Sequence, residues 1–600
     1  MEGDVDLFAN FKAVIQNHCT SCHGDSGSPF GGIVDFKKLK TQQDWLAARG
    51  NLIVPGEPSE SSVFYRLTLA KGRVASTNNN MPFPLNGQPT TMTRQEADAI
   101  EAYIKSIQIK ANPLAGCDQD YAPTSIEMRR LNAQEIRHSI SDLFGITSFE
   151  ILPENTAGQF SNIGRFQTLD ESFFEFYSAG VSDVAQKVTQ QRASQISNCN
   201  RNQNCIQSLL NPIAELAFRK ELDNEDLQGL SAVLSKILNH SDYTFSGEEA
   251  YSAGLESILL NPQFLFVMRQ GENEGERAYT EFELATRISL TLFASIPDRA
   301  LWEKAKSGEL KSNYDAVLDE LLESSRFLDR FSTQFSEGWL GFSKLDGFSP
   351  EKSAYGVNKS EFEPVANAMK QSVRRTIEHT IAQGLGINSL VNGSQRFVNQ
   401  DLANHWDIPG SFNSNFRLVN LPETSPYAGT GLLTTTPLVS TSLSDRESIV
   451  FRGVQVLGAF VCKVPPPPPE DVVAEIEDSN FPEGTSQRDM LVAHSNNNQC
   501  ASCHQSFDPY GFGLNAFDGL GRFRLQDQHG NPIDSTGMIN TDSFEDHKDL
   551  AEILVADNNF QVCMSQTLMT YAMGANIDTV NGQEQSCTVN RIVAEASSDG

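Results

Sequence analysis

The stretch CASCHQSFDPYGF, residues 500–512, brings two cysteines, a histidine and an Asp-Pro pair together in one short segment. The pattern Cys-x-x-Cys-His is typical of three kinds of site: a zinc knuckle, a redox dithiol and the attachment site of a c-type haem. In the haem interpretation, the thiols of Cys500 and Cys503 form thioether bonds to the two vinyl groups. The imidazole of His504 then binds the iron.

The same pattern occurs near the N-terminus in NHCTSCHG, where it consists of Cys19, Cys22 and His23. A structural zinc ion takes four protein ligands and a catalytic one takes three, so one ion shared by both copies would leave ligands over. A thioredoxin-like dithiol needs no histidine after each cysteine pair. We therefore predict two covalently bound haem c groups, with zinc or disulfide chemistry as the alternatives.

Length and charge limit the other classes of function. A chain of 600 residues corresponds to three or four domains of about 150 residues each. The formal net charge of −30 argues against a nucleic-acid partner, because the phosphate backbone would be repelled. The acidic surface is expected to serve solubility or to attract a cationic redox partner. No stretch reaches the ~18 apolar residues that a transmembrane segment needs.

The start of the chain, MEGDVDLFANF, lacks the basic and apolar regions of a secretory signal. Haem is attached outside the cytoplasm in bacteria. We therefore expect a periplasmic or extracellular protein whose signal peptide has been removed or lies upstream of the numbered chain.

Six of the ten cysteines lie outside the two haem motifs, an even number that suits an oxidising compartment. Six cysteines allow fifteen pairings, so sequence alone leaves the connectivity open. Our expectation is the pairing Cys199–Cys205, Cys563–Cys587 and Cys117–Cys462.

Residues 1–110 follow the order of a small class I cytochrome. A helix, FANFKAVIQNH, precedes the haem motif, a Met-Pro loop follows in NNNMPFP, and TRQEADAIEAYIKSI predicts a closing amphipathic helix. The thioether of Met81 is the predicted sixth ligand of the first iron. Met/His ligation raises the reduction potential, which suits electron transfer. The alternative is that Met81 only packs within its loop.

The middle of the chain is predicted to be helical. RLNAQEIRHSISDLFG places Ile136 and Ile140 on one stripe, and YTEFELATRISLTLF opens with a capping box of Thr280 and Glu283. VANAMKQSVRRTIEHTIAQGLG predicts a further helix that ends at a glycine. Residues 395–445 are rich in Gly, Thr and Ser and predict irregular structure with short strands.

The predicted fold class is mainly α, with an N-terminal cytochrome c domain, a large helical middle region and a C-terminal helical haem-binding unit. The run of five prolines from Pro465 to Pro469 predicts a polyproline II linker. The predicted boundaries are 1–110 for the cytochrome c-like domain, 111–275 and 276–463 for the two helical domains, 464–484 for the linker and 485–600 for the C-terminal haem-binding domain.

An ordered set of segments resembles a family of multi-domain c-type-cytochrome-containing proteins found in planctomycetes, myxobacteria and some marine gammaproteobacteria. IVPGEPSESSVFYRL and MPFP resemble their N-terminal cytochrome, and RRLNAQEIRHSISDLFG the start of the next domain. CASCHQSFDPYGFGLNAFDGLGRFR and CMSQTLMTYAMGA resemble the C-terminal part. The resemblance covers nearly the whole chain and implies a secreted or periplasmic cytochrome. This chain departs from the family at two positions: Asn515 stands where the family usually has Glu, and Ala575 where Arg is common. The resemblance therefore carries no acid–base or propionate role to either residue.

The sixth ligand of the second iron stays open at this point. His494, in LVAHSNNNQC, is one candidate, and a second-shell or helix-end histidine is the alternative. The sulfur atoms of Met538, Met564 and Met573 are further candidates, the last two on a predicted C-terminal helix.

Two features follow the second motif. Asp508 and Pro509 predict a turn that ends the haem helix. Asp518 and Arg522, in FDGLGRFR, either order the haem propionates through charge-assisted hydrogen bonds or form a local surface salt bridge.

The favoured function is electron transfer by a dihaem c-type cytochrome, with a redox protein such as another cytochrome as its partner. The first alternative is a haem-dependent oxidoreductase, peroxidase- or oxygenase-like, that acts at the C-terminal haem. The second is a component whose middle region binds a glycan, a polymer or a partner protein. Ligation separates the first two, because only an open or weakly held sixth position admits a small molecule to the iron.

Overall fold

A computed structural model of the chain describes residues 11–13, 15, 100, 128–152, 159–267, 278–435, 448–463, 465, 482, 484–495, 501–527, 529–540, 542–556, 558–577 and 583–598. The chain forms two compact units. The first unit comprises Met1–Gln119, Asp489–Pro509 and Thr536–Phe544, and the second unit comprises Asp120–Arg488, Tyr510–Ser535 and Glu545–Gly600.

Helices make up most of the described residues, which confirms the prediction of a mainly α fold. Up to residue 267 they are α1 (Ala133–Phe144), α2 (Glu171–Gln191), α3 (Ala193–Ser197), α4 (Gln203–Phe218), α5 (Asn224–Leu238), α6 (Gly247–Leu259) and α7 (Pro262–Leu265), with a 3-10 turn at Gly164–Phe166.

The helices between residues 278 and 435 vary more in length. They are α8 (Glu281–Phe293), α9 (Arg299–Ser307), α10 (Glu309–Ser312), α11 (Tyr314–Leu322), α12 (Ser325–Leu340), α13 (Lys352–Tyr355), α14 (Lys359–Ala382), α15 (Ser389–Asn392) and α16 (Gln400–His405), with a 3-10 turn at Phe342–Leu345. Those that follow are α17 (Ile449–Val461), α18 (Gln487–Ser495), α19 (Ala501–Gly513), α20 (His547–Ala556), α21 (Asn559–Met573) and α22 (Gln583–Ser598).

The predicted capping box at the start of α8 is confirmed, and α1 also starts with a capping box. Asn132 caps α1 and forms a capping box with Glu135, and Thr280 does the same for α8 with Glu283. Ile136 and Ile140 are fully buried, as their helical spacing predicts. Each cap satisfies backbone N–H groups that a helix leaves without an internal partner.

Strands are short and occur in three antiparallel pairs among the described residues. They are β1 (Arg129–Arg130) with β2 (Phe266–Val267), β3 (Gln395–Val398) with β4 (Arg417–Asn420), and β5 (Gly537–Ile539) with β6 (Asp542–Phe544). The second pair confirms the expectation of short strands within residues 395–445.

The apolar core of the second unit lies among helices α1 to α6, here called the helical bundle. Leu210, Leu234, Leu255 and Ile258 are at most 2% exposed within it. Gly254 lets the helices approach closely, because a Cβ at this position would lie 2.5 Å from the side chain of Leu210. Only glycine permits such close contact without displacing a neighbour.

A second group of apolar side chains is aromatic and joins α12, α17 and α21. The ring of Phe335 lies 5.8 Å from that of Tyr571, and Phe160 lies 5.2 Å from the same tyrosine. The indole N–H of Trp339 donates to the carbonyl of Ala459 at 2.7 Å. The buried polar end of this aromatic residue is therefore satisfied while its ring packs.

The disulfides confirm one predicted pair and correct the other two. Cys199 is bonded to Cys205 as expected. Cys462, however, is bonded to Cys563, so the predicted pairs Cys117–Cys462 and Cys563–Cys587 are wrong. The reason is tertiary, because α17 packs on α21 and brings the two Cα atoms to 5.2 Å across 101 residues of chain. Cys587 is disulfide-bonded to a residue outside the described ranges.

The described residues of the first unit include three fully buried apolar side chains, Phe11, Ile15 and Ile100. Cys19, Cys22, His23 and Met81 lie outside the described residues, as does the proline-rich run after its first proline.

No helix in the described parts of the chain combines the length and the apolar character needed to cross a membrane.

Candidate functional site

Helix α19 carries the described part of the second Cys-x-x-Cys-His motif. It begins at Ala501, so Cys503 and His504 lie on its first turn. Cys503 is half-buried and is not part of a disulfide. Covalent haem attachment needs a thiol that is not part of a disulfide, and the motif places the iron-binding histidine directly after it.

The imidazole of His504 is held by two neighbours on the same helix. Its Nδ1 atom lies 3.0 and 3.1 Å from the two carboxylate oxygens of Asp508, one helical turn further on. The ring of Phe507 lies 4.9 Å from the imidazole, centroid to centroid. The side chain of Asp508 is only 6% exposed, and that of His504 is 16% exposed.

The predicted turn at Asp508 and Pro509 is wrong. Helix α19 continues through Pro509 and ends at Gly513. Proline lacks an N–H group and therefore leaves the carbonyl of Gln505 without its usual helical donor, but it does not end this helix. The i,i+4 spacing of His504 and Asp508 was the signal that could have predicted their contact, because such residues share one helix face.

These residues fit a haem c group. With Nδ1 of His504 directed to the carboxylate, Nε2 is the ring nitrogen that would bind the iron. Metal-binding histidines usually donate their other ring N–H to a carboxylate or carbonyl, which fixes the tautomer and the ring orientation. Cys503 would supply one thioether, and Cys500, outside the described residues, the other. Bound haem would supply one-electron redox chemistry.

The segment after helix α19, residues 514–524, is here called the motif loop. Arg452 on α17 is fully buried and donates to its carbonyls, at 2.7 Å to Phe517 and 2.8 Å to Asp518. A third, longer bond of 3.3 Å reaches Leu514. One guanidinium therefore satisfies several buried carbonyls of a segment that has no regular structure of its own.

The predicted pair of Asp518 and Arg522 is present as an ion pair of 2.7 Å. The Asp518 carboxylate also accepts the backbone N–H groups of Leu520 and Arg522, both at 2.9 Å. Arg522 in turn donates to the carbonyl of Tyr355 at 3.1 Å. Within the second unit, these contacts are those of a local salt bridge, which was the alternative to a role with the haem propionates. The propionate role stays a prediction.

Two further side chains from the middle region hold the motif loop. His405 Nε2 donates to the carbonyl of Leu520 at 2.8 Å, and the hydroxyl of Tyr427 donates to Gly521 while accepting from the N–H of Phe523. Burial lowers the pKa of His405 and raises that of Tyr427. Both groups therefore stay neutral near pH 7 and act as fixed hydrogen-bond partners.

The end of helix α21, within CMSQTLMTYAMGA, is held by residues far away in the chain. Arg287 donates to the carbonyl of Met573 at 2.8 Å. Gly574 follows at φ +62°, and a Cβ there would lie 2.6 Å from the side chain of Arg129. Both the backbone conformation and the lack of space require glycine at this position.

The remaining predicted ligands are placed as follows. His494 lies on helix α18. Met538 is exposed on β5, Met564 is buried on α21, and Met573 is half-buried at the end of that helix. The described residues contain no group of three or more His, Cys, Asp or Glu side chains arranged to hold a metal ion.

A polar cavity of about 380 Å³ lies between α14 and the segment that follows β3. Its walls include Asn367, Gln371, Asn399 and Asp401 together with the ring of Phe416. The amide and carboxylate groups of this lining can donate and accept hydrogen bonds beside one aromatic ring. Sequence patterns gave no signal for this cavity.

Four known protein families match successive parts of the chain. The family described as Cytochrome c matches residues 8–108. The chain therefore contains a cytochrome c domain. Three families described as Protein of unknown function follow: DUF1587 at residues 129–190, DUF1592 at residues 279–408 and DUF1588 at residues 430–527. No curated protein and no solved structure matches this cytochrome.

The matches confirm the predicted family resemblance and the presence of covalently bound haem c. The DUF1588 match includes the second Cys-x-x-Cys-His motif, helix α19 and the motif loop. The sequence revealed the motif but not the contact of His504 with Asp508, nor the hydrogen bonds from Arg452 to the motif loop.

Proposed function

We propose that this cytochrome carries two covalent haems and transfers electrons outside the cytoplasm. The observation that carries the proposal is the pairing of His504 with the buried carboxylate of Asp508 directly after the Cys503 thiol. A histidine held by a carboxylate in this way is typical of metal-binding sites, and His504 would bind the haem iron here. Extracytoplasmic location agrees with the usual location of cytochrome c domains.

The partner in this proposal is a one-electron redox protein with a basic face, and another cytochrome is the first candidate. The formal charge of −30 would attract such a partner over long range. Bound haem would supply the site for this exchange, taking one electron from a donor protein and giving one to an acceptor protein. The rate of this exchange should fall with ionic strength, because salt screens the attraction.

The haem count is tested on the full-length chain by mass spectrometry of the two motif peptides. The matched variants are Cys19→Ala/Cys22→Ala and Cys500→Ala/Cys503→Ala. Each is expected to reduce the haem content from two per chain to one, with loss confined to its own peptide. Unchanged haem content in the second variant would overturn the dihaem assignment.

Ligand binding separates electron transfer from catalysis. The ferric protein is expected to show low-spin absorbance at both haems, with no change when cyanide or peroxide is added. A high-spin band that shifts on cyanide would instead favour the haem-dependent oxidoreductase, because an accessible sixth position is what that chemistry needs.

The polar cavity supports a second candidate function, recognition of a glycan by the middle region. Gln371 is exposed at its rim and can be replaced without removing a core side chain. Gln371→Ala should weaken retention on a polysaccharide panel in affinity electrophoresis. Gln383→Ala, an exposed glutamine beyond the end of α14, is the matched control. Equal retention of both variants and the parent, or no retention on any polysaccharide, would rule this function out.

A further inference from the structure

The carboxylate of Asp508 is buried at a cost that its contacts must offset. The residue is 4% exposed, and burial of an ionised carboxylate is unfavourable unless hydrogen-bond donors compensate for lost water. Nδ1 of His504 meets both of its oxygens, at 3.0 and 3.1 Å. The pair lies on a single helix, so its geometry is set by one element and not by a mobile loop.

The contact determines which nitrogen carries the proton. A carboxylate accepts hydrogen bonds, so the hydrogen resides on Nδ1 and the lone pair on Nε2. A neutral imidazole in this tautomer is the form that binds a metal ion. The ring of Phe507 packs beside the imidazole and limits its rotation. Asp508 therefore prepares His504 for ligation before any haem is attached.

A charged acceptor also changes the donor strength of the imidazole. Partial removal of the Nδ1 proton towards the carboxylate makes Nε2 more basic, as carboxylate–histidine pairs do at other metal sites. A more basic ligand stabilises ferric iron relative to ferrous iron, because the ferric ion carries the higher charge. A backbone carbonyl or an amide in the same place would have a weaker effect, since neither carries a full charge.

We propose that Asp508 is a positioning residue that lowers the reduction potential of the C-terminal haem through His504. This inference rests on the proposed second haem. It makes that haem the stronger one-electron reductant of the two, because the predicted Met/His ligation would raise the potential of the N-terminal haem. Electrons enter and leave through the partner proteins already named, so the residue itself is neither oxidised nor reduced.

The test is a potentiometric titration of the full-length protein and of Asp508→Asn. Asparagine keeps the size and a hydrogen-bonding oxygen but removes the charge. At a fixed ambient potential we expect the ratio of ferrous to ferric C-terminal haem to rise about tenfold, a shift of about 59 mV for a one-electron couple. The N-terminal haem is an internal reference, and the Cys500→Ala/Cys503→Ala variant assigns the two components.

Two further variants separate electronic from structural effects. Asp542→Asn removes the same charge from an exposed position on β6 and should leave both potentials unchanged. Asp508→Glu keeps the charge. The potential of its C-terminal haem should therefore lie closer to that of the parent protein than to that of Asp508→Asn. If Asp508→Asn retains its C-terminal haem with an unchanged potential, or shifts no more than Asp542→Asn, the inference is overturned.

Haem content distinguishes failure of this inference from failure of the proposed function. Absence of haem from the peptide of Cys503 in the parent protein would overturn the second haem itself. If the parent protein and the Asp508 variants all carry the C-terminal haem and this haem has the same reduction potential in each, only the role of Asp508 is overturned.

Discussion

The helical bundle and the motif loop are both buried in the second unit, but different forces hold them. In the bundle, side chains such as Leu234 and Leu255 repeat at helical spacing and are fully removed from water. In the motif loop, backbone carbonyls receive hydrogen bonds from Arg452, His405 and Tyr427, each on a distant part of the chain. The comparison shows that one unit combines a core fixed by apolar pattern with a segment fixed by individual polar contacts.

The two regions should therefore respond differently to substitution. Apolar burial is distributed over many side chains, and removal of one leaves a cavity that neighbours partly fill. The hydrogen bonds of the motif loop converge on a few donors, and removal of one donor leaves several buried carbonyls unsatisfied.

Arg452→Met should lower the free energy of unfolding of the second unit by about 4 kcal/mol. Methionine retains much of the buried volume but removes every hydrogen bond from the guanidinium to Leu514, Phe517 and Asp518. Urea denaturation followed by circular dichroism gives the value. Arg417→Met, at an exposed arginine, is the control and should change it by less than about 0.5 kcal/mol. Equal effects of the two variants would contradict the special role of Arg452.

Leu255→Ala should lower the free energy of unfolding by about 3 kcal/mol, because it creates a cavity in the helical bundle. The same urea denaturation measures it, with Leu260→Ala as the control because Leu260 is 42% exposed. A cost greater than that of Arg452→Met would reverse the proposed ranking of the two regions.

The two described disulfides extend the comparison to covalent links. Cys462 and Cys563 close a loop of 101 residues, whereas Cys199 and Cys205 in the helical bundle are separated by 6. Loop-closure entropy predicts that replacing the long-range pair by alanines costs about 2 kcal/mol more than replacing the local pair. Chemical denaturation of the two double variants under identical oxidising conditions gives this difference. A larger loss for the local pair would show that strain or residual structure outweighs chain entropy.

Acidification is expected to change the free energy of unfolding less than any of these substitutions. Burial lowers the pKa values of His138, His405 and His547 below their ordinary value of 6.5. Below pH 6.5 the unfolded chain therefore binds more protons than the folded one, and the free energy of unfolding falls as pH decreases. Burial raises the pKa of Glu337, a single group that acts in the opposite direction.

Urea denaturation at about pH 7.5 and about pH 5.5 measures this dependence. His405→Gln should reduce the difference between the two values, and His240→Gln, at an exposed histidine, should leave it unchanged. A free energy of unfolding that increases on acidification would show that Glu337 or other carboxyl groups dominate.

Local patterns predicted much of the fold. The capping box at Thr280, the buried stripe of α1 and the Cys199–Cys205 disulfide each depend on residues within a few positions of one another. The Asp-Pro pair misled the prediction because proline often ends helices, yet here it costs only one internal hydrogen bond. Its neighbour Asp508 gains a partner by remaining helical.

The sequence alone determined that this protein is mainly helical and that Cys503 and His504 belong to a Cys-x-x-Cys-His motif, because the spacing of residues along the chain shows both properties. Tertiary structure alone decided the Cys462–Cys563 disulfide and the contacts of Arg452 with the motif loop. Those partners are between 62 and 101 residues apart and meet only when separate helices pack. The periodicity of apolar residues specifies which face of a helix is buried. Which other helix packs against that face depends on the whole fold.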